Sequence, residues 1–169
     1  MKFSVEHEFS ASRALVVDVL CDPEFQTALD LPDLSRAEVV EHSVDGATRV
    51  LRLRYEFVGH LDPVARKIIG GRKLTWVQDL EVDTSDYKGR LSFAAEADAQ
   101  RLFGAADVAI DAIGSDGRDE RSRRRIAGDL HVKVPLIGGT AEKRIVPGLV
   151  RRLDIEAEEL EKELARRGA

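Results

Sequence analysis

With 169 residues, 43% of them apolar and 34% charged, the chain is long enough to bury a core without staples and reads as one soluble domain, 1–169. Its net charge of −5 favours neither nucleic acid nor anionic membrane, and 5% aromatic residues leave little for base stacking. Cys21 is the only cysteine, which excludes an intramolecular disulfide and a thiolate cluster for zinc. No stretch reaches the roughly 20 apolar residues of a membrane span, and the first residues lack the apolar block of a signal peptide. A cytoplasmic protein is expected, not integral to a membrane, without a nucleic-acid partner and without a cofactor.

Along the chain, Phe3, Val5, His7 and Phe9 alternate with Lys2, Ser4, Glu6 and Glu8, the period-two pattern of a strand. Ser10 is placed as the N-cap of a helix whose apolar face carries Leu15, Val16, Val19 and Leu20. Asp22 and Pro23 restart the chain as N-cap and first position of a second short helix, with Phe25 and Leu29 inward, and Pro32 closes the pair. The pattern then turns β. Asp45-Gly46 marks a hairpin, after which Leu51, Leu53, Tyr55 and Phe57 face in while Arg52, Arg54 and Glu56 face out.

Residues 59–72 interrupt the strands. Asp62-Pro63 reads as a helix start, Val64, Ala65, Ile68 and Ile69 as a short apolar face, and Gly70-Gly71 as its end. The segment is either a flap plugging the core or a mobile lid over a cavity mouth.

Beyond it, Leu74, Trp76, Gln78, Leu80 and Val82 share one face of a strand. Tyr87, Leu91 and Phe93 mark the next, and Ala106, Val108, Ile110 and Ala112 another. Gly114-Ser115-Asp116-Gly117 is a turn before the last strand, where Ile126, Gly128, Leu130, Val132 and Val134 point inward. Thr140 is placed as N-cap of a long final helix, with Glu142 suited to its positive dipole end. Its buried stripe is Ile145, Leu149, Leu153, Ala157, Leu160 and Leu164, and a kink is expected at Pro147. The order β-α-α-β-β-β-β-β-β-α gives an α+β class. It is that of a helix-grip fold, a curved antiparallel sheet wrapped round a long C-terminal helix.

Several segments resemble one superfamily: Met1-Lys2-Phe3-Ser4-Val5-Glu6-His7-Glu8-Phe9, Cys21-Asp22-Pro23-Glu24-Phe25, Leu74-Thr75-Trp76-Val77, and the run from Gly128 to Gly139. They are similar to the START-like superfamily (SRPBCC, the polyketide cyclase or birch-pollen-allergen helix-grip group), and within it to a bacterial family without assigned activity. The resemblance spans essentially the whole chain. It implies the helix-grip fold, often with an apolar cavity between sheet and final helix, and offers no assigned catalytic residues to carry over. Its members include lipid carriers, hormone receptors, cyclases, hydratases and co-chaperones, so it implies a shape and not a reaction.

Two polar residues fall on otherwise apolar faces, His7 and Gln78. A buried polar group left unpaired costs about 1–3 kcal/mol, so each needs a neighbour or a ligand. Tyr55 and Trp76 combine an apolar body with a polar tip, useful for orienting an amphipathic molecule and equally at home in a core. His7, Tyr55, Trp76 and Gln78 are the candidate ligand-binding residues. Arg124 is in phase with Ile126 and could reach a cavity rim, but the run Arg118–Arg125 reads better as a solvated hairpin.

No nucleophile elbow, phosphate-binding loop or dinucleotide fingerprint occurs, and His7, His42, His60 and His131 lack metal-ligand spacing. The leading expectation is a protein that binds a small hydrophobic or amphipathic molecule (lipid-like, isoprenoid or aromatic) in an apolar cavity. A cyclase or hydratase with His7 as general acid or base is the second reading. A ligand-free protein-interaction module with a filled core is the third.

Overall fold

The computed structural model describes residues 1–115 and 118–168. Asp116 and Gly117 of the expected turn, and the side chain of Ile68, lie outside what is described. The elements are β1 (Lys2–Phe9), α1 (Arg13–Leu20), α2 (Pro23–Ala28), β2 (Glu38–Asp45), β3 (Thr48–Glu56), α3 (Pro63–Ile69), β4 (Thr75–Asp83), β5 (Lys88–Ala95), β6 (Leu102–Ala112), β7 (Ser122–Val132) and α4 (Gly138–Arg166). Among the described residues, the strands make one antiparallel sheet in the order β1-β7-β6-β5-β4-β3-β2. The class is α+β and the architecture is the helix grip, with α3 inserted between β3 and β4.

Period-two alternation places the inward residues in rows across the sheet. Leu53 pairs with Gln78 and Gln78 with Phe93, while Leu51, Leu80, Leu91 and Ala106 form the next row. Val5, Ile126 and Val108 make another, and His7, Arg124 and Ile110 the one beside it. The buried stripe of α4, Leu153, Ala157, Leu160 and Leu164, packs on this face together with Val16, Val17 and Val19 of α1. Gly104 and Gly128 stand at inward positions. A side-chain carbon at Gly104 would run into the Phe93 ring, and one at Gly128 into the Ala105-Ala106 backbone.

Local expectations mostly hold, with four corrections. Ser12, not Ser10, caps α1 by accepting from the Leu15 amide at 3.2 Å, since the helix begins only at Arg13; the Ser10 amide donates to the Glu161 carboxylate of α4. α4 starts at Gly138 and not after Thr140: Leu136 takes a left-handed turn, φ 69°, that swings the chain straight into the helix. Its first turn has no side-chain cap, and Glu142 instead accepts from the Val132 amide and the N-terminal amine, both at 2.9 Å. Tyr87 sits in the turn before β5 at φ 56°, with the Arg13 guanidinium over its ring at 4.4 Å. The fourth is Arg124, which is buried rather than solvated.

α4 runs unbroken through Pro147. α3 has the caps its sequence announces. Asp62 accepts from the Val64 and Ala65 amides at 2.8 and 2.9 Å, and Gly70 closes the helix at φ 62°, a conformation that suits glycine.

Candidate functional site

A cavity of about 310 Å³ lies between the inner sheet face and the N-terminal half of α4. Its walls follow from the alternation and the helix stripe. Trp76, Phe93, Leu130 and Val132 come from β4, β5 and β7, and Ile145, Gly148 and Leu149 from α4. α3 closes the mouth with Ala65 and Ile69, beside Leu34 and Phe57. The lining is mostly aliphatic and aromatic, as small-molecule sites are.

The segment carrying α3 is pinned at its base and lightly held at its tip. At the base, the Phe57 amide donates to Leu74 O at 2.9 Å and the Val58 amide to Asp33 O at 2.8 Å. At the tip, Asp62 forms an ion pair with Arg144 of α4. The same Asp62 carboxylate accepts from the Ala65 amide, and this bond together with Arg144 holds it below the usual carboxylate range. Both partners are partly exposed, so the pair is a weak latch.

The inner end of the cavity is polar. Gln78 is buried, and its Oε1 accepts from Arg152 Nη2 of α4. Arg152 is only 8% exposed and lies over the Tyr55 ring at 5.3 Å. Tyr55 stacks on Trp76 with ring centroids 5.7 Å apart, and burial pushes its hydroxyl up to about 12. Among the described residues, Arg152 has no carboxylate within 4.0 Å.

A second buried arginine, on β7, meets α4 one turn further along in a different setting. Arg124 is 1% exposed, contrary to its expected place in a solvated run. Alternation explains the correction: Ser122, Arg124 and Ile126 point inward, while Arg121 and Arg123 reach Glu8, and Arg125 reaches Asp111, on the outer face. Arg124 donates to Glu156 Oε1 at 2.5 Å, to Leu153 O at 3.3 Å and to His7 Nδ1 at 3.2 Å. Because arginine only donates, His7 Nδ1 accepts, and Nε2–H donates to Asp154 Oδ1 at 2.8 Å. Only about 10 Å³ of open space remains here, beside Gln26, Arg124, Leu153 and Glu156.

The four candidate residues therefore separate. Trp76 and Gln78 line the large cavity. Tyr55 backs Trp76 from the neighbouring strand, and His7 lies outside the cavity lining, against Asp154 in the middle of α4, with both ring nitrogens engaged. Sequence reading missed Arg152, Arg144 and Glu156. The signal for two of them was present: Arg152 and Glu156 fall three residues after Leu149 and Leu153, on the flank of the apolar stripe.

Among the described residues, no group of three or more His, Cys, Asp or Glu side chains is placed to hold a metal ion. Among the same residues, no helix is long and apolar enough to cross a membrane.

No curated protein matches the chain in sequence. Solved structures do match in fold. A protein from Thermus thermophilus superposes over 100% of both chains at 18% identity with a TM-score of 0.68. The Zhui aromatase/cyclase from a Streptomyces species covers 100% of this chain and 97% of its own, at 17% identity and a TM-score of 0.64. A START superfamily protein from Mycobacterium smegmatis covers 98% and 97%, at 14% identity and a TM-score of 0.56. Identities this low carry the fold alone, and that fold is the START-like helix grip. The sequence is more specific: residues 4–164 match a single family profile, and the chain belongs to the family described as "Protein of unknown function (DUF2505)".

Proposed function

We propose that this protein binds a small hydrophobic or amphipathic molecule in the cavity beneath α3. The observation that carries the reading is the cavity itself, about 310 Å³ of mostly apolar wall gripped between sheet and α4. A chain built only to pack would fill such a space, because interiors are close to crystal density and an empty cavity of this size is destabilising. Affinity comes from apolar burial, at about 25 cal/mol per Å² before ordering costs, and Gln78 at the inner end fixes orientation. α3, tied to α4 by the Asp62–Arg144 pair, serves as the lid through which the molecule enters.

Two considerations weigh against the other readings. A ligand-free interaction module needs large side chains meeting across the grip, and here they leave a cavity. A cyclase or hydratase using His7 needs that ring beside its substrate, whereas His7 bonds Asp154 and Arg124 away from the cavity wall.

The test compares the mass of purified protein under native and denaturing conditions, followed by organic extraction. A stoichiometric apolar compound is the expected result, and stripped protein should take up the neutral dye N-phenyl-1-naphthylamine. Protein that carries nothing and takes up no dye would refute the reading.

A further inference from the structure

The ligand's chemistry is written at the inner end of the cavity. We infer that the bound molecule is an organic acid, with an apolar body under α3 and an anionic head, best a carboxylate, seated against Arg152. The inference rests on the binding reading above and deepens it.

Arg152 is buried, with 8% of the residue exposed, and it lines the cavity. A guanidinium stays charged at any ordinary pH, so burial cannot be relieved by losing the proton. The charge must be met by an anion, or it remains a desolvated, uncompensated cation. The other buried arginine, Arg124, has its anion in Glu156. Glu156 is one helical turn beyond Arg152 but is committed elsewhere: Oε1 accepts from Arg124 and Oε2 from Gln26 at 3.5 Å. Two buried cations against one buried carboxylate leave one positive charge, and it is the one facing the cavity.

What Arg152 does have is a neutral amide and an aromatic face, Gln78 Oε1 and the Tyr55 ring. These fix the direction of the guanidinium without neutralising it, and leave its other N–H groups for a planar, two-oxygen acceptor.

The mouth is charged differently. Asp33 and Asp62 line it, and its only cation in an ion pair, Arg144, is taken by Asp62. An anion is thus disfavoured at the rim and favoured at the floor, so the bound acid lies with its head inward and its apolar end beneath α3.

Trp76 is the only tryptophan and lines the cavity, so its fluorescence reports occupancy. The full chain is titrated with decanoic acid and with decan-1-ol, equal in length and differing in head charge, at about pH 7.5, where the acid is ionised. Wild type should bind the acid at least about tenfold more tightly than the alcohol, and Arg152→Gln should reduce that preference to about twofold or less. Alcohol affinity in Arg152→Gln should stay within about twofold of wild type, the sign that the cavity is still formed. Arg152→Lys, which keeps the charge and loses the fork, should fall between. Equal binding of acid and alcohol by wild type, or an acid preference untouched in Arg152→Gln, overturns the inference and leaves the binding reading standing. If neither compound nor N-phenyl-1-naphthylamine changes the Trp76 signal, the binding reading itself falls.

Discussion

Arg124 and Arg152 are buried to nearly the same extent on either side of one helix turn, yet their surroundings differ in kind. Around Arg124 the grip is closed: Glu156 at 2.5 Å answers its charge, His7 and Leu153 O take further bonds, and about 10 Å³ is left open. Around Arg152 the grip is open, with a neutral amide, an aromatic ring and a cavity of about 310 Å³. Burial of a charge therefore does not by itself mark a functional site. The uncompensated one, facing space, is where a ligand is expected; the compensated one ties sheet to helix.

The widest separation between the two ends should come from removing a partner at each. Glu156→Gln leaves Arg124 buried beside a neutral amide, and urea denaturation should record a loss of about 3–5 kcal/mol. Arg152→Met, which keeps volume and removes a charge that has no counterion, should stay within about 1 kcal/mol of wild type. Similar losses for both variants would erase the distinction between the ends.

Ligand affinity should divide the same way by a smaller margin. Gln78→Leu removes the acceptor that steers Arg152 and should weaken decanoate binding about three- to tenfold. His7→Phe, at the closed end, should change it by less than about twofold while lowering stability through the lost Asp154 and Arg124 bonds. An affinity that moved with His7 and not with Gln78 would put the ligand on the closed side of the grip.

The lid gives the next effect in size. Amides of α3 should exchange with solvent faster than those of β4–β6, and Arg144→Gln should raise their exchange by about two- to fivefold. Exchange in α3 as slow as in the central strands would make it a fixed plug. Acid should act on the same latch. The folded carboxyl of Asp62 is held below its ordinary value, so the tie is fully present above about pH 4 and is lost as pH falls through the depressed value. Closure should therefore be flat through neutral pH, and Asp62→Asn should remove the acid-dependent part.

Cys21 should give the smallest signal. Burial pushes its thiol up to about 12, so native protein should react with iodoacetamide at about pH 8 only through unfolding. Prompt alkylation would mean that the α1 end is looser than the β1–α4 packing implies.

Much of this shape was legible in the sequence because it rests on local rules. Alternation gave the strand faces, Asp45-Gly46 the hairpin, and Asp62-Pro63 with Gly70 the limits of α3. The errors arose where local rules offer two equal choices or a distant group decides. Ser10 and Ser12 are alike as caps and the helix begins after Ser12, while Arg124 looked solvated until Glu156 met it from α4. The site was legible by half. Trp76 and Gln78 stood out as inward residues, but Arg152, a charge beside an apolar stripe, did not. Whether such a charge finds a partner is decided by the tertiary fold, not by spacing.

The most direct measurement is a set of intermolecular NOEs from bound N-phenyl-1-naphthylamine, a neutral probe independent of any argument about charge. Contacts to Trp76, Phe93 and Leu149, with none to Val5, His7 or Phe9, are the expected result and place the ligand at the open end. Contacts to the His7 end, or to the outer face of the sheet alone, would contradict the division of the molecule drawn here.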